Sequence, residues 1–381
     1  MVRMKVPYSY LKEEFHLESP LVKDIMRDIA DVVAAGDFTL GKKVTEFEEA
    51  WAQTVGTRHA VGVSNGTDAI FLILRAIGVT PDDIVVTVPN TFLATVGAIL
   101  QAGAQVDFVD IGDDYNAGFF DSYKRTVFLP VHWGGCPLSW FPPSSDCPAH
   151  RVSNTEVWCI VEDACQAIGA RSGERNAGAM GHAAAFSLHP LKNVNIWGDG
   201  GVVTTDDPSL AAEVRLLRNH GLEGRNTWLK PGYNMRLSTV QAVVGLHTLK
   251  YLEWITERRI ENAKHYDEGL KPLSGSVLLP KRHPQARHVY HLYQFEIRAD
   301  KEKRDLLIRW LNDQGVEAKM HYPMPLHFQP PLAGLGYKKG DFPRTERFCD
   351  THVSLPVHQY LTTEQIDYTI EKIGEFCRRN A

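Results

Sequence analysis

The sequence predicts an α/β fold, in which helices sandwich a mostly parallel seven-stranded sheet and a smaller α+β domain follows at the C-terminus. From residue 59 onward, short β-rich runs alternate with helical segments, which is typical of parallel sheets with crossover connections. Several of these runs are apolar on both faces, as strands covered by helices on each side must be. The 381 residues suffice for two domains, which we place at residues 1–250 and 251–381.

Polar motifs follow several of the seven predicted strands directly in sequence. They are residues 60–63, 84–88, 106–109, 126–131, 158–161, 183–187 and 202–205. In open parallel sheets, ligands bind at the carboxyl ends of the strands, where the loops emerge. The motifs that follow these runs are therefore the candidates for a functional site.

The remaining segments are assigned from periodicity and capping signals. Residues 20–35 carry apolar positions at helical spacing and end at Gly36, which suits a helix C-terminus. A second helix is expected to begin at Thr45, because Thr45 and Glu48 stand at capping-box spacing. Further predictions are a helix over 237–263, a strand over 291–297, helices over 301–314 and 363–378, and a loop over the proline-rich residues 134–157.

Composition excludes several classes of protein. The formal net charge of −5 argues against a dedicated nucleic-acid binder, which needs a dense basic face. The sequence has no run of about 18 apolar residues and no apolar signal-peptide core near Met1, so we expect a cytoplasmic protein without a membrane span. The six cysteines are scattered, which predicts free thiols rather than a disulfide framework or a metal site.

One lysine stands in a Gly-rich turn between two predicted strands. Lys192 follows residues 183–187 and precedes residues 202–205. If this lysine is desolvated, its ammonium form is disfavoured, and the free amine can form a Schiff base with a carbonyl. A solvated surface lysine is the alternative, and the turn alone does not decide between the two.

Two further motifs follow earlier strands. Ser64, Asn65, Gly66 and Thr67 open a helical run, where backbone amides make a natural phosphate site or, alternatively, an ordinary N-cap. Phe92 ends the next strand region, where its ring could stack on a planar cofactor or pack in the core.

Asp163 and Gln166 follow the predicted strand at residues 158–161. A carboxylate at a strand end can hold the nitrogen of a pyridine ring protonated and so make the ring an electron sink. Gln166 could reach the phenolic oxygen of the same ring. The alternative for Asp163 is a helix N-cap.

Taken in order, these motifs resemble the DegT/DnrJ/EryC1/StrS family of sugar aminotransferases, within the pyridoxal-phosphate enzymes of fold type I, the aspartate-aminotransferase-like fold. The resemblance runs from about Gly36 to Ile373. Its motifs are SNGTDA at residues 64–69, PNTFLAT at 89–95, EDACQA at 162–167, FSLHPLKN at 186–193, GDGG at 198–201, RNHG at 218–221, GYNMRL at 232–237 and LPVH at 355–358.

The resemblance implies a role for each candidate residue. Lys192 would form the Schiff base with pyridoxal 5′-phosphate, and Asp163 would partner the pyridine nitrogen. The other implied cofactor contacts are Gln166 to the ring hydroxyl, Phe92 as the stacking ring, and Gly66, Thr67 and Ser187 to the phosphate. Asn234 would reach the phosphate of the neighbouring subunit, which implies a homodimer with shared active sites.

Three histidines match positions near the substrate in the family: His189, His321 and His327. Structural histidines before a proline-rich turn are the alternative for these positions. The implied reaction is a ping-pong transamination, in which glutamate or glutamine donates an amino group to a 3-keto or 4-keto hexose linked to a nucleotide.

Other activities stay open at this point. The acceptor could instead be a free keto sugar or a cyclitol. Sugar dehydration with the same cofactor is disfavoured, because relatives that catalyse it have histidine in place of the lysine, and Lys192 is intact. A non-catalytic cofactor-binding regulator would need an added interaction module, and none is evident in the sequence.

Overall fold

The computed structural model describes residues 4–118, 126–139 and 157–380. Pro142, Pro143 and Pro148 of the predicted loop lie outside the described residues, as does Cys147. The helices are α1 (Leu11–Glu14), α2 (Pro20–Ala35), α3 (Lys42–Val55), α4 (Gly66–Ala76), α5 (Leu93–Ala102), α6 (Pro208–Leu217), α7 (Thr239–Leu249), α8 (Leu252–Leu270), α9 (Lys301–Asp313), α10 (Pro343–Thr351) and α11 (Thr363–Arg379).

The strands form one large sheet and several small ones. They are β1 (His59–Val63), β2 (Ile84–Thr87), β3 (Gln105–Phe108), β4 (Thr126–Phe128), β5 (Val157–Asp163), β6 (Arg171–Ser172), β7 (Arg175–Asn176), β8 (Ala183–Ser187), β9 (Gly201–Thr205), β10 (Leu222–Glu223), β11 (Thr227–Trp228), β12 (Val277–Leu278), β13 (Ala286–Arg287), β14 (Tyr293–Ile297) and β15 (His352–Leu355).

The large sheet has seven strands in the order β1-β9-β8-β5-β4-β2-β3. Strand β9 is antiparallel to both of its neighbours, and the other pairings in the sheet are parallel. The prediction of a mostly parallel seven-stranded sheet is therefore confirmed. Because β5 and β8 are adjacent and parallel, their carboxyl ends bring Asp163 and Ser187 to the same edge of the sheet.

Both faces of this sheet are buried. Along β9, Val203 packs into a core on the side of α4 and α5, whereas Val202 packs into a second core with Trp51 of α3 and Val244 of α7. The alternation along a single strand reflects the two-residue period of β structure. Helices on both faces explain why the strand sequences are apolar throughout.

A smaller antiparallel sheet, β12-β14-β15, forms a separate core with α8, α9 and α11. Val6 of the N-terminal segment also packs into this core, and its amide donates to the Gly315 carbonyl over 2.9 Å. A smaller α+β unit near the C-terminus is therefore present. The domain boundary at residue 250 stays a prediction.

Two predicted helix boundaries are wrong. Helix α3 begins at Lys42, with Gly41 as its N-cap, and not at Thr45. Glu48 forms no capping box, because its buried carboxylate accepts the Gly62 amide and pairs with Arg218. This buried pair outweighs the local capping signal.

The predicted helix over 237–263 is two helices, since α7 ends at Leu249 and α8 begins at Leu252. The break redirects the chain from the core of the large sheet, where Val244 packs, to that of the small sheet, where Tyr266 packs. The helix ending at Gly36 is confirmed, with this glycine in the left-handed conformation at a φ of 67°. In the part of the chain that the structure covers, the cysteines are free thiols, and no helix has the length and apolarity to span a membrane.

Candidate active site

Lys192 lies in the turn between β8 and β9, where the protein encloses its amine. The Lys192 amide donates to the His189 carbonyl over 2.8 Å, which closes the turn. Burial lowers the pKa of the lysine, while Cys165 and Asp163 act in the opposite direction. A lowered pKa increases the fraction of free amine at neutral pH, which a nucleophile and proton acceptor requires.

Asp163 ends β5 and is almost fully buried. Its Oδ1 accepts the Cys165 amide over 3.1 Å, and its Oδ2 accepts the Thr95 hydroxyl over 2.7 Å. The residues that follow form turns, such as the bond from the Ala167 amide to the Ala164 carbonyl, and so Asp163 does not cap a helix. Its carboxylate keeps lone pairs free for a further donor.

Gln166 is held by the loop that follows β4. Its Oε1 accepts the Gly134 amide over 2.7 Å, and the side chain is almost fully buried. Gly134 adopts a left-handed backbone, with a φ of 62°, which glycine tolerates without steric cost. The bond leaves the Nε2 amide of Gln166 as the group that can donate to a ligand oxygen.

The first turn of α4 forms a narrow cup. Asn65 caps the helix by accepting the Asp68 amide over 2.8 Å, while the first-turn amides of Gly66 and Thr67 have no partner within a helix. A Cβ on Gly66 would lie 2.9 Å from the Cβ of Ser187 and 2.9 Å from Cys165 Sγ. The N-cap and the anion cup are therefore compatible, since different groups of one helix start provide them.

Phe92 is the N-cap residue of α5, and 47% of its surface is exposed, so the core alternative is wrong. Its ring centroid lies 5.5 Å from that of Tyr322, which in turn lies 5.9 Å from that of Trp133. Burial raises the pKa of Tyr322, and the nearby Asp163 and Cys165 raise it further. An aromatic wall therefore stands beside Asp163.

The three candidate histidines occupy different environments. His189 is exposed, and His321 Nδ1 lies 3.0 Å from the Ser354 hydroxyl. Burial lowers the pKa of both, that of His321 to about 4, and the Lys192 charge contributes to both shifts. His327 is itself buried and packs against the rings of Phe328, Tyr337 and Phe342, and its Nε2 lies 3.4 Å from Glu346.

Asn234 is exposed and pairs through its backbone with Asn219 in an isolated antiparallel bridge. Thus the structure brings Lys192, Asp163, Ser187 and the α4 start together, with His189 and His321 close to the lysine. Asn234 presents its side chain to solvent on the single chain.

Several residues of the site, among them Thr95, Tyr10 and Tyr322, were missed from the sequence. Thr95, which bonds to Asp163, belongs to the PNTFLAT motif, and its spacing of four from Thr91 was the available signal. Tyr10, whose hydroxyl donates to the Lys192 carbonyl over 2.9 Å, lies 182 residues away in sequence. No local pattern could have linked it to this turn.

The residues present fit pyridoxal 5′-phosphate. The site offers a buried amine for the aldehyde, a buried carboxylate with free lone pairs for the ring nitrogen, and an exposed aromatic ring for stacking. Because Gly66 has no side chain, the backbone amides at the start of α4 stay accessible to a phosphate. The Cβ of any other residue at this position would lie too close to Ser187.

Comparisons with known proteins agree with this geometry. The model of the DegT/DnrJ/EryC1/StrS aminotransferase family matches residues 20–374. A pleiotropic regulatory protein of Geobacillus stearothermophilus is 36% identical over an alignment of 385 positions, with 99% of this chain and 100% of that protein covered. The dTDP-3-amino-3,4,6-trideoxy-alpha-D-glucose transaminase of Streptomyces venezuelae is 35% identical over 387 residues, with 98% and 97% of the two chains covered.

The fold is also that of a solved transaminase complex. The crystal structure of S. venezuelae DesV in complex with a ketimine intermediate has a TM-score of 0.88, with 34% identity and 98% and 99% of the two chains covered. The chain therefore belongs to the DegT/DnrJ/EryC1/StrS aminotransferase family, as a transaminase of fold type I whose cofactor is pyridoxal 5′-phosphate.

Proposed function

We propose that this transaminase transfers an amino group from glutamate or glutamine to a keto group of a nucleotide-linked hexose, at C3 or C4. The observation that carries the proposal is the partly buried Lys192, whose pKa burial lowers, at the same sheet edge as Asp163. The similarity to a dTDP-amino-sugar transaminase over 98% of the chain supports the class of acceptor. The ping-pong order follows, because one lysine site serves donor and acceptor in turn.

When bound, the cofactor supplies a carbonyl carbon that exchanges amines and a ring that accepts electron density. Lys192 would bind that carbonyl carbon and, once displaced, would carry a proton on its Nζ as general base and acid. Its lowered pKa supports this role, because the free amine must accept a proton near neutral pH. Asp163 would hold the proton of the ring nitrogen.

The remaining cofactor contacts follow from the donors around the cup. The amides of Gly66 and Thr67 and the hydroxyl of Ser187 would bind the phosphate. Gln166 would donate its Nε2 amide to the ring hydroxyl, and Phe92 would stack on the ring.

For the substrate, the proposal assigns His189 and His321 to the open side of the lysine turn. Their lowered pKa values mean that neutral imidazoles would face the sugar, and in His321 the nitrogen left for the sugar is Nε2, because Nδ1 contacts the Ser354 hydroxyl. His327 keeps its predicted substrate role as a proposal only. Its burial among aromatic rings favours a supporting role behind the site.

The proposal includes a homodimer in which Asn234 reaches the cofactor phosphate of the partner. The exposed position of this asparagine supports the arrangement. A complementation assay tests it: inactive Lys192→Ala and inactive Asn234→Leu proteins are unfolded together, refolded and assayed. The refolded mixture should recover about a quarter of the wild-type activity, because about half of its dimers are hybrids and one of the two sites in each hybrid contains neither change. No recovery would contradict shared sites.

A half-reaction screen tests the substrate class. The purified protein is loaded with the amino form of the cofactor by glutamate or glutamine, freed of donor, and mixed with single acceptors. Keto-sugar nucleotides should restore the absorption of the aldehyde form and yield an amino sugar detectable by mass. If only free keto sugars or cyclitols react, the nucleotide-linked class is wrong.

The other functions have less support. A dehydratase is disfavoured, because Lys192 is present and buried. A relative with a regulatory name is similar over nearly the whole chain, but the intact lysine, carboxylate and phosphate cup favour catalysis. Release of 2-oxoglutarate from glutamate only when a keto sugar is present would exclude a regulator that performs no chemistry.

A cytoplasmic location stays a prediction. Cell fractionation followed by immunodetection of the chain tests it. Recovery of the chain with the membrane pellet, after a high-salt wash, would contradict it.

A further inference from the structure

We propose that Thr95 is a positioning residue for Asp163, and that Thr91 sets the orientation of Thr95. The inference rests on the proposed role of Asp163 as partner of the ring nitrogen. The three side chains form one buried chain of hydrogen bonds: Thr91 Oγ1 to Thr95 Oγ1 at 2.8 Å, and Thr95 Oγ1 to Asp163 Oδ2 at 2.7 Å. At most 5% of any of these residues is exposed.

The carboxylate gives this chain a direction. An ionised Asp163 has no proton to donate, so Thr95 must donate its single hydroxyl proton to Oδ2. The contact between the two threonines then requires that Thr91 donates and Thr95 accepts. Each hydroxyl proton therefore points toward Asp163, whose Oδ2 accepts the last bond of the chain.

The second oxygen is fixed from the other side. Oδ1 of Asp163 accepts the backbone amide of Cys165 over 3.1 Å, so both oxygens have a protein donor. The two donors come from different elements, the start of α5 and the turn after β5, and together they fix the plane of the carboxylate. The remaining lone pairs can then meet a ring N–H in one orientation.

Asp163 is almost fully buried, so hydrogen-bond donors from the protein replace the water that its carboxylate loses on folding. Burial raises the pKa of the adjacent Cys165 thiol, which therefore stays neutral and adds no negative charge beside Asp163. Lys192 is the cationic group that acts on Asp163 from within the site, and burial disfavours its charged form too. Donation from Thr95 is thus a stabilising contact that does not depend on the protonation of the lysine.

Substitutions that keep side-chain shape separate positioning from packing. Thr95→Val removes the donor at nearly constant volume, Thr95→Ser keeps it, and Thr91→Val removes only the support of Thr95. The matched control is Thr54→Val on α3, whose hydroxyl bonds to the Ala50 carbonyl on the exposed face of that helix. Each protein is loaded with pyridoxal phosphate labelled with ¹⁵N in the ring.

The ¹⁵N chemical shift reports whether the ring nitrogen carries a proton. At the same pH, Thr95→Val should have a smaller protonated fraction than wild type and turn over about ten- to a hundredfold more slowly, the loss expected for one hydrogen bond to a charged group. Thr95→Ser should recover most of both, Thr91→Val should show a smaller change in the same direction, and Thr54→Val should match wild type.

The results distinguish an error in the role of Asp163 from an error in the positioning role of Thr95. If Asp163→Asn leaves the ring shift unchanged, the proposed role of Asp163 is wrong. If Asp163→Asn changes the shift while Thr95→Val and Thr91→Val do not, Asp163 keeps its role and the positioning by Thr95 is wrong. Should Thr95→Val fail to fold, Thr91→Val alone decides, since an unchanged shift in that variant also contradicts the inference.

Discussion

The Tyr10 hydroxyl donates a hydrogen bond of 2.9 Å to the backbone carbonyl of Lys192. This bond joins the N-terminal segment to the turn that carries the reactive amine. The Tyr10 ring is buried, stacks on Tyr360 with centroids 6.2 Å apart, and lies 5.3 Å from the Arg259 guanidinium carbon. The residues before α1 are therefore part of the active-site architecture.

Replacing Tyr10 with phenylalanine removes this bond and keeps the ring. We expect the free energy of unfolding to fall by about 1 kcal/mol, because a partly buried carbonyl loses its partner. The pyridoxal phosphate should also dissociate several-fold faster, as the lysine turn loses an anchor. Tyr360→Phe is the control, since it leaves the bond to the Lys192 carbonyl intact. Equal denaturation curves and cofactor release rates in Tyr10→Phe and wild type would contradict the account.

A methyl group at Gly66 should close the phosphate cup. Its Cβ would lie 2.9 Å from atoms of both Ser187 and Cys165, so the start of α4 must shift away from the β8 end. We expect the affinity of Gly66→Ala for pyridoxal phosphate to fall at least tenfold by equilibrium dialysis. Gly97→Ala, within α5 and with open space around the new Cβ, should bind normally and be stabilised by up to ~1 kcal/mol. Normal cofactor binding by Gly66→Ala would show that the phosphate lies elsewhere.

Loss of the Glu48 charge should destabilise the fold strongly. Glu48 and Arg218 are both buried, and their ion pair sits behind β1. Glu48→Gln leaves the guanidinium without its counter-charge, which costs about 3–5 kcal/mol in comparable buried pairs. Glu46→Gln, which breaks partly exposed pairs with Lys42 and Lys43, should cost less than about 1 kcal/mol. Urea unfolding of both variants measures the difference, and similar small losses would contradict the buried-pair assignment.

Stability should decline on acidification because of buried neutral histidines. His352 Nδ1 donates to the Phe348 carbonyl, and its Nε2 accepts the His321 amide, so the neutral ring is fully paired. Burial lowers the pKa of His352 to about 3. Below its unfolded pKa of about 6.5, the unfolded chain binds the proton and the folded chain does not, so stability falls as pH drops from that value toward 3.

Each such histidine contributes up to about 1.4 kcal/mol per pH unit to this slope. Urea unfolding of wild type and His352→Gln at pH 7, 6 and 5 tests the prediction. The variant should be less stable at pH 7 but should lose less stability on acidification. Parallel pH dependence in the two proteins would mean that His352 titrates normally in the fold.

The large sheet was predictable because its physical signals are local. Runs that are apolar on both faces mark covered strands, and motifs after those runs mark the carboxyl edge where Asp163 and Lys192 meet. The end of α2 at Gly36, which has a strong local signal, was also predicted correctly.

The errors and omissions have a common cause in long-range contacts. Glu48 was predicted to take part in a capping box, but in the fold its carboxylate pairs with Arg218, which is 170 residues away in sequence. Tyr10 and Tyr322 reach the site from opposite ends of the chain and follow no sequence motif. Folded geometry, and not local pattern, decides such contacts.

We propose that Lys192 is the residue that binds the cofactor covalently. The most direct measurement is borohydride reduction of the protein loaded with pyridoxal phosphate, followed by proteolysis and mass spectrometry. We expect a pyridoxyl-phosphate mass on the peptide that contains Lys192, and no such label in Lys192→Ala. A label on another lysine, or labelling that persists in Lys192→Ala, would contradict it.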